Sequence, residues 1–370
     1  MRIADGLRIR SGDVVTLVGG GGKTTVMFRL AEELTAAGLT VISTMTTKIF
    51  VEQMARAPAS LLLRDDGSVP PELAELLDKH RHVLLGGRIA PAGGGLDREK
   101  LEGVPPEIAD QLAAARVADV IIVEGDGSRR MPLKAPADHE PVVSQSTTVL
   151  VPLVGLEVLG QPLDASHVHR PQRVAELARA NLGEAVSVRT VARVLRHPQG
   201  GAKGLPSAAR FVPFLNKADL NMDGGRELAR ALLVDQGETE QGLAASGGIT
   251  RDRAVVVDEV IIGAAESAEP VRESWGHVAA VVLAAGEAKR FGSLKQVMPW
   301  HGASPGVTVP LVVHVARQAL ACPAVAGVVV TVGAQGELVE AALTQVLDRT
   351  EQVLRVAVSN WIEGQSRSVR

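Results

Sequence analysis

The sequence predicts an α/β protein of two domains, each built on a mostly parallel sheet. Three observations predict it. Apolar runs rich in Val and Ile alternate with runs whose apolar residues recur at helical spacing. A glycine loop sits at a strand-to-helix junction twice, at Gly19–Gly22 and around Gly286. Between them the polar stretch AAESAEPVRESWG (Ala264–Gly276) interrupts the pattern, which then restarts. The 370 residues suffice for two or three domains of ~100–200 residues each. The expected limits are 1–265, a linker over 266–276, and 277–370.

The elements follow in order. Val14–Val18 is an apolar strand. Thr24–Ala37 carries Met27, Leu30, Ala31 and Leu34 on one helical face, and Gly38 follows where a C-cap glycine belongs. Leu39–Ser43, Asp119–Val123, Arg210–Leu215 and Ala254–Ile262 are further strands. Asp119–Val123 is continuous in Val and Ile, as a strand buried on both faces should be. Past the linker come a strand at His277–Leu283, a glycine loop, a helix at Pro310–Ala321 and a strand at Val325–Val332. The loops around Pro91–Gly95 and Gln199–Pro206 are rich in Gly and Pro and read as mobile.

Composition excludes several classes of function. The net charge of −3 leaves no basic footprint for nucleic acid, and with 2% aromatics and no Tyr there is little to stack bases on. A single cysteine, Cys322, excludes a disulfide framework and a cysteine zinc site and fits a reducing cytoplasm. The first residues lack a signal-peptide core, and no apolar run approaches the ~18 residues that span a bilayer.

Four glycines in a row, Gly19, Gly20, Gly21 and Gly22, precede Lys23, Thr24 and Thr25. No side chain can work there, so the backbone must. Such a loop after a strand and before a helix points N–H groups at phosphate oxygens. Lys23 would reach the terminal phosphates and Thr24 would touch Mg²⁺. The long phosphate loop needs glycine five residues before Gly22, and that position is Leu17. The short form G-x-x-G-K-T-T fits, and it resembles the loop of Mur-type ligases. A dinucleotide fingerprint fits less well, because Thr24 stands where its third glycine should be.

Hydroxyls and a lysine (Ser43, Thr44, Thr46, Thr47, Lys48) end the second strand, where they could hold Mg²⁺ or phosphate; a helix N-cap by Thr46 or Thr47 is the competing reading. Glu124 and Asp126 end the third, two apart, so both can point the same way and hold Mg²⁺ or orient water. Ser128, Arg129, Arg130 and Lys134 add donors suited to anions; a polar turn with surface charges is the alternative. His139 and Glu140 could include a proton-transfer pair, and His167 and His169 could bind a metal, although a lone histidine is more often structural. Asn216, Lys217 and Asp219 spell N-K-x-D, the guanine reader of GTPases, with capping of the next helix by Asp219 as the alternative.

The runs GGGGKTT, STMTTKIF, VEGDGSRRMPLKAPADHEPVV and FLNKADL, in this order over residues 1–265, resemble the selenium-dependent hydroxylase accessory protein family (YqeC). The most specific part is Val123–Pro141. The resemblance implies a role in the maturation of molybdenum hydroxylases. The residues themselves argue for Mg-nucleotide binding, ATP or GTP, with hydrolysis or phosphoryl transfer by Lys23, Thr24 and Glu124.

The second loop runs Leu283, Ala284, Ala285, Gly286, then Arg290, Phe291, Gly292, Lys295 and Gln296. It resembles the signature of MobA-like nucleotidyltransferases, closest to the molybdenum cofactor cytidylyltransferase branch. Small residues let the loop close over a base and ribose, and Arg290 and Lys295 can neutralise a triphosphate. Asn360–Ser366 resembles a second loop of that family. The resemblance implies CTP as nucleotide and molybdopterin as acceptor, with Mg²⁺. In the family the Mg-holding aspartate follows the position of Ser366, and His277–Arg370 is shorter than the ~100–150 residues of a typical domain. A partial domain is therefore expected, with an exposed sheet edge that invites a partner or a second copy. The combined expectation is a P-loop-type domain followed by a partial Rossmann-like nucleotidyltransferase domain, acting in cofactor maturation or as a nucleotide-gated carrier for a molybdenum hydroxylase.

Overall fold

The structure, a computed structural model, describes residues 1–91, 99–234, 255–286, 292–301, 308–322, 325–333, 335–346 and 353–357. They form two compact units, Met1–Gly276 and His277–Arg370. The first unit runs α1 (Ile3–Gly6), β1 (Val14–Gly19), α2 (Lys23–Ala36), β2 (Val41–Met45), β3 (Ile49–Phe50), β4 (Ala59–Leu62), α3 (Glu72–His80), β5 (His82–Gly86), β6 (Ile89–Ala90), β7 (Lys100–Leu101), α4 (Pro106–Ala114) and β8 (Val120–Glu124). It continues through β9 (Leu133–Lys134), β10 (Val149–Gly155), β11 (Val168–His169), α5 (Pro171–Ala178), α6 (Val188–Arg196), β12 (Arg210–Phe211), β13 (Phe214–Asn216), α7 (Met222–Val234), β14 (Glu259–Gly263) and β15 (Val271–Gly276).

The main sheet has the order β15-β14-β13-β10-β1-β8-β2-β5-β4, with β12 also on β10. Every pairing is parallel except β14 with β15. Alternate residues of the strands feed opposite cores. Val15 and Leu17 of β1 pack with Met27, Phe28 and Leu30 of α2. On the other face, Val14 joins α3 and α4, and Val18 joins α5, α6 and α7. Coverage of both faces explains why these strands are uniformly apolar. The chain leaves β1 for β2, returns to insert β8 between them, and then crosses to β10 on the far side of β1. The carboxyl end of β1 thus lies where connections diverge, and there ligands bind open α/β sheets.

Two expectations are corrected, and one central strand is added to them. The stretch expected as a linker over 266–276 contains β15, which pairs antiparallel with β14 over Glu259↔Gly276 to Gly263↔Val271. Val271 is 2% exposed, bonds Met1 through the backbone and packs on Gly6, so the segment belongs to the first unit. The expected strand Arg210–Leu215 divides into β12 and β13 at Val212-Pro213, because proline has no N–H to pair. The added strand is β10, central in the sheet. Pro152 stands inside it, in register with Val18, and a proline argues against a central strand.

The second unit comprises β16 (Val278–Leu283), β17 (Pro299–His301), β18 (Thr308–Pro310), α8 (Leu311–Leu320), β19 (Val325–Val332), α9 (Gly336–Val346) and β20 (Val353–Ala357). Its parallel sheet has the order β16-β19-β20, and β17 and β18 form a small antiparallel pair. Both helices pack on one face, where Val312, Val313, Ala316, Val339 and Leu343 meet Val328, Val330 and Val332. On the other face Val281, Leu283, Leu354 and Val356 are exposed. No helix among the described residues is long and apolar enough to cross a membrane.

Candidate functional site

The four glycines are explained first by sterics. Gly21 has φ +78°, and a Cβ there would stand 2.1 Å from the backbone nitrogen of Gly155. Gly19 has φ +92°, and its Cβ would stand 2.4 Å from the carbonyl oxygen of Leu153. The loop is pressed onto the carboxyl end of β10, and only glycine fits. The donors of its first three glycines are also engaged, contrary to the expectation that they face a ligand. The N–H groups of Gly20 and Gly21 donate to the carbonyls of Leu153 and Met131, both at 3.0 Å. That of Gly19 donates to the Asp126 carboxylate at 3.1 Å. What remains for a ligand is the start of α2, where the N–H groups of Lys23, Thr24 and Thr25 have no intrahelical acceptor.

Around this loop β1, α2, β8 and β9 assemble a buried polar network. Lys23 Nζ donates to the Gly19 carbonyl at 2.6 Å and lies 3.3 Å from Asp126 and 3.9 Å from Glu124. Lys134 Nζ lies 2.9 Å from Asp126 and 2.8 Å from Glu140. It also donates to the Gly127 carbonyl at 2.6 Å. Arg170 bonds Glu140 at 2.7 Å. Thr24 Oγ1 donates to Glu124 at 2.8 Å. Lys23, Glu124, Asp126 and Lys134 are each at most 6% exposed. Alternating carboxylates and ammonium groups make such burial tolerable. Burial raises the Glu124 carboxyl pKa, and the charge of Lys23 and the Thr24 hydroxyl oppose the rise. Burial also works against the charge of Glu140, but Arg170 and Lys134 outweigh it and bring the group to about 2.

The residues at the end of β2 turn elsewhere. Ser43 bonds His82 Nε2 at 2.8 Å, Thr44 donates to the Leu85 carbonyl, and Lys48 pairs with Glu102 at 2.7 Å. Neither Thr46 nor Thr47 caps a helix, since β3 follows. Thr46 N–H reaches the Glu124 carbonyl at 3.0 Å.

Of N-K-x-D, Asn216 joins the site. Its Nδ2 donates to the Gly21 carbonyl at 2.7 Å and its Oδ1 accepts from Ala265 N–H at 2.9 Å. Lys217 pairs with Glu157 in the turn that follows β10, and Asp219 is exposed. Asn221, and not Asp219, caps α7 through the Gly224 N–H at 3.0 Å. His139 is exposed. His167 bonds Asp164 at 2.8 Å, and His169 pairs in register with Lys134. The described residues hold no group of three or more His, Cys, Asp or Glu fit for a metal.

In the second unit Ala284 N–H donates to the Thr331 carbonyl at 3.1 Å, which seats the end of the Leu283–Gly286 run on β19. Gln296, buried, donates through Nε2 to the carbonyls of Ala284 at 3.0 Å and Gly286 at 2.7 Å. Its Oε1 is buried without a partner among the described residues. Lys295 beside it is exposed. Gln296 was legible only as part of the signature; its clamp on the loop carbonyls was not. Arg290 and Asn360–Ser366 lie outside the described residues.

Fold and site thus define a two-unit α/β protein, with a glycine loop against an acidic strand end in the first unit and a second glycine loop in the other. Residues 15–172 match the family model of YqeC protein, and residues 280–370 match that of the MobA-like NTP transferase domain. The YqeC protein of Escherichia coli (strain K12) is 33% identical over 206 residues, which cover 55% of this chain and 75% of that protein. The chain belongs to the YqeC family, and a MobA-like NTP transferase domain follows the YqeC portion.

Proposed function

We propose that the first unit binds a Mg-nucleotide, ATP or GTP, through a short P-loop, and that the second transfers a nucleotidyl group from CTP, both in molybdenum cofactor maturation for a molybdenum hydroxylase. The observation that carries the first part is the Thr24–Glu124 hydrogen bond at 2.8 Å. It joins the hydroxyl at a helix start to the carboxylate of the adjacent strand. This donor set suits Mg²⁺, which takes few protein oxygens and completes its shell with phosphates and water. When bound, the ion supplies charge neutralisation at the phosphates. Lys23 is within reach of the same place, and the α2 N–H groups face any anion there. To serve the nucleotide, Lys23 exchanges the Gly19 carbonyl and Asp126 for phosphate oxygens. Asn216 holds the loop from the side of β13; to read a base there, Lys217 would have to leave Glu157, and the exposed Asp219 would accept from the base.

In the second unit the MobA-like match supports nucleotidyl transfer. Lys295 and Arg290 would neutralise the triphosphate, while Leu283–Gly286 admits base and ribose. Attack by a terminal phosphate oxygen of molybdopterin on the α-phosphoryl group of CTP forms one P–O bond, breaks the bond from the α-phosphorus to the α–β bridging oxygen, and releases pyrophosphate. It needs positioning more than covalent catalysis.

Equilibrium binding of ATP, GTP and CTP with Mg²⁺ to wild type, Lys23→Ala and Lys295→Ala tests the reading. A purine nucleotide is expected to depend on Lys23 and CTP on Lys295, each by at least ~10-fold, as loss of a charge-assisted contact implies. Binding of none of the three by wild type overturns it. Nucleotide binding without turnover would favour a nucleotide-gated carrier, the reading to which the closed, internally bonded loop also lends weight.

A further inference from the structure

We infer that the Arg129–Arg130 turn, with Lys100, forms a binding site for the phosphate group of a second ligand, held at the lip of the first glycine loop. Its role as an acceptor site rests on the nucleotide reading above; the anion site itself does not.

The turn leaves the site just after Asp126. Met131 N–H closes it on the Ser128 carbonyl at 2.9 Å. Arg129 and Arg130 have φ +50° and +62°. Glycine adopts such angles freely; other residues hold them at a cost. Arg8, Arg81, Arg116, Arg170 and Arg179 also have positive φ, each singly, so what sets this turn apart is that it carries two arginines in succession. The backbone that follows is seated on the loop. The Met131 carbonyl accepts from Gly21 N–H at 3.0 Å, and a Cβ on Gly20 would stand 2.5 Å from that oxygen. The guanidinium groups therefore arise one and two residues from the wall of the loop.

Both arginines are exposed. The Arg130 guanidinium lies 5.3 Å from the centroid of the Phe50 ring, and Lys100 Nζ lies 5.2 Å from the same centroid. Phe50 and Lys100 are register partners in β3 and β7. Like charges gathered about one ring repel one another, and a bound anion would offset that repulsion. Their neighbours are matched: Lys48 and Arg88 pair with Glu102, Lys134 and Arg170 with Glu140, and Arg173 with Asp138. No carboxylate among the described residues pairs with Lys100, Arg129 or Arg130. In a chain of net charge −3 this excess of cations is local. The field extends inward as well. After burial, the charges of Arg170, Lys134 and Arg129 hold His169 down at about 4. Guanidinium forks suit phosphate oxygens, and an aromatic ring beneath a guanidinium leaves its donors free for them.

Inorganic pyrophosphate is the probe, and glycine is the informative replacement, because it relaxes the turn instead of straining it. Pyrophosphate is titrated into full-length Lys23→Ala, where the loop is disabled, and into the same chain carrying Arg129→Gly and Arg130→Gly. Mg-ATP and Mg-GTP are titrated into wild type and Arg129→Gly/Arg130→Gly. The expected result is pyrophosphate binding by Lys23→Ala, weakened at least ~10-fold by the two glycines. Nucleotide affinity should stay within ~3-fold of wild type, with an unchanged or higher melting temperature. Absence of pyrophosphate binding by Lys23→Ala, or binding indifferent to the glycines, overturns the site. A ~10-fold loss of nucleotide affinity in Arg129→Gly/Arg130→Gly also overturns it, since the arginines would then serve the nucleotide's own phosphates. Arginine-dependent pyrophosphate binding in a protein whose wild type binds neither nucleotide supports the site and sinks the nucleotide reading instead.

Discussion

Asp126 is the shared counter-charge of two buried ammonium groups, Lys23 and Lys134, and it also accepts the Gly19 N–H. Asp126→Asn keeps the shape and removes the charge. It is expected to lower stability by about 3 kcal/mol, read from the urea midpoint, because it leaves two lysines with too little negative charge. An unchanged midpoint would mean that the lysines turn outward. His82 offers a test by pH. It is 3% exposed, and burial brings its pKa from 6.5 to about 4. The unfolded chain takes up the proton first, so this contribution is whole above pH 6.5 and is lost as pH falls toward 4. The limit is about 3 kcal/mol. Stability curves of wild type between pH 7 and 4.5 should fall more steeply than those of His82→Gln. Glu140, held at about 2 against an ordinary 4.5, adds stability that fades only below pH 4.5. Both lysines and both carboxylates were readable as candidates; their sharing of Asp126 was not, because it joins residues on β1, α2, β8 and β9.

At the scale of elements, the glycine loop is built by what it touches. Gly21→Ala would meet the Gly155 nitrogen at 2.1 Å with φ +78°, and neither backbone can yield. A loss of more than about 2 kcal/mol in stability is expected by thermal unfolding, above the cost of the left-handed angle alone. Asn216→Ala removes two buried hydrogen bonds, to the Gly21 carbonyl and from Ala265 N–H. It should cost about 2 kcal/mol and weaken nucleotide binding, measured by urea unfolding and calorimetry. A variant that binds as wild type would detach β13 from the function of the loop. The ends of β1, α2, β2 and β8 were legible to within a residue or two, since apolar period and the Gly38 cap are local signals. The sequence reading of N-K-x-D pointed at a base, whereas its first observed use is to hold the loop. That role depends on β13 lying next to β10, a long-range pairing that local pattern does not contain.

At the scale of the molecule, the boundary between the units falls after β15. A fragment ending at Gly276 is expected to unfold in one cooperative thermal transition. One ending at Ala265 leaves the edge of β14 bare and removes Val271 from the core; it should melt lower or aggregate. Equal stability of the two would return 266–276 to the status of a linker. The polar composition of that stretch was misleading because an edge strand alternates: Arg272, Ser274 and Gly276 differ in burial from Val271, Glu273 and Trp275. The amino-acid sequence by itself determined the α/β class, both glycine loops, the acidic end of β8 and the family, because each is written in contiguous residues whose type is dictated by period or by close backbone approach. Tertiary structure alone decided the central place of β10 despite Pro152, the closure of the Gly19–Gly21 donors onto the protein itself, and the pairing of Asp126 with two lysines. These are matters of which distant segments meet, and a buried charge or donor takes whichever partner the packing brings to it.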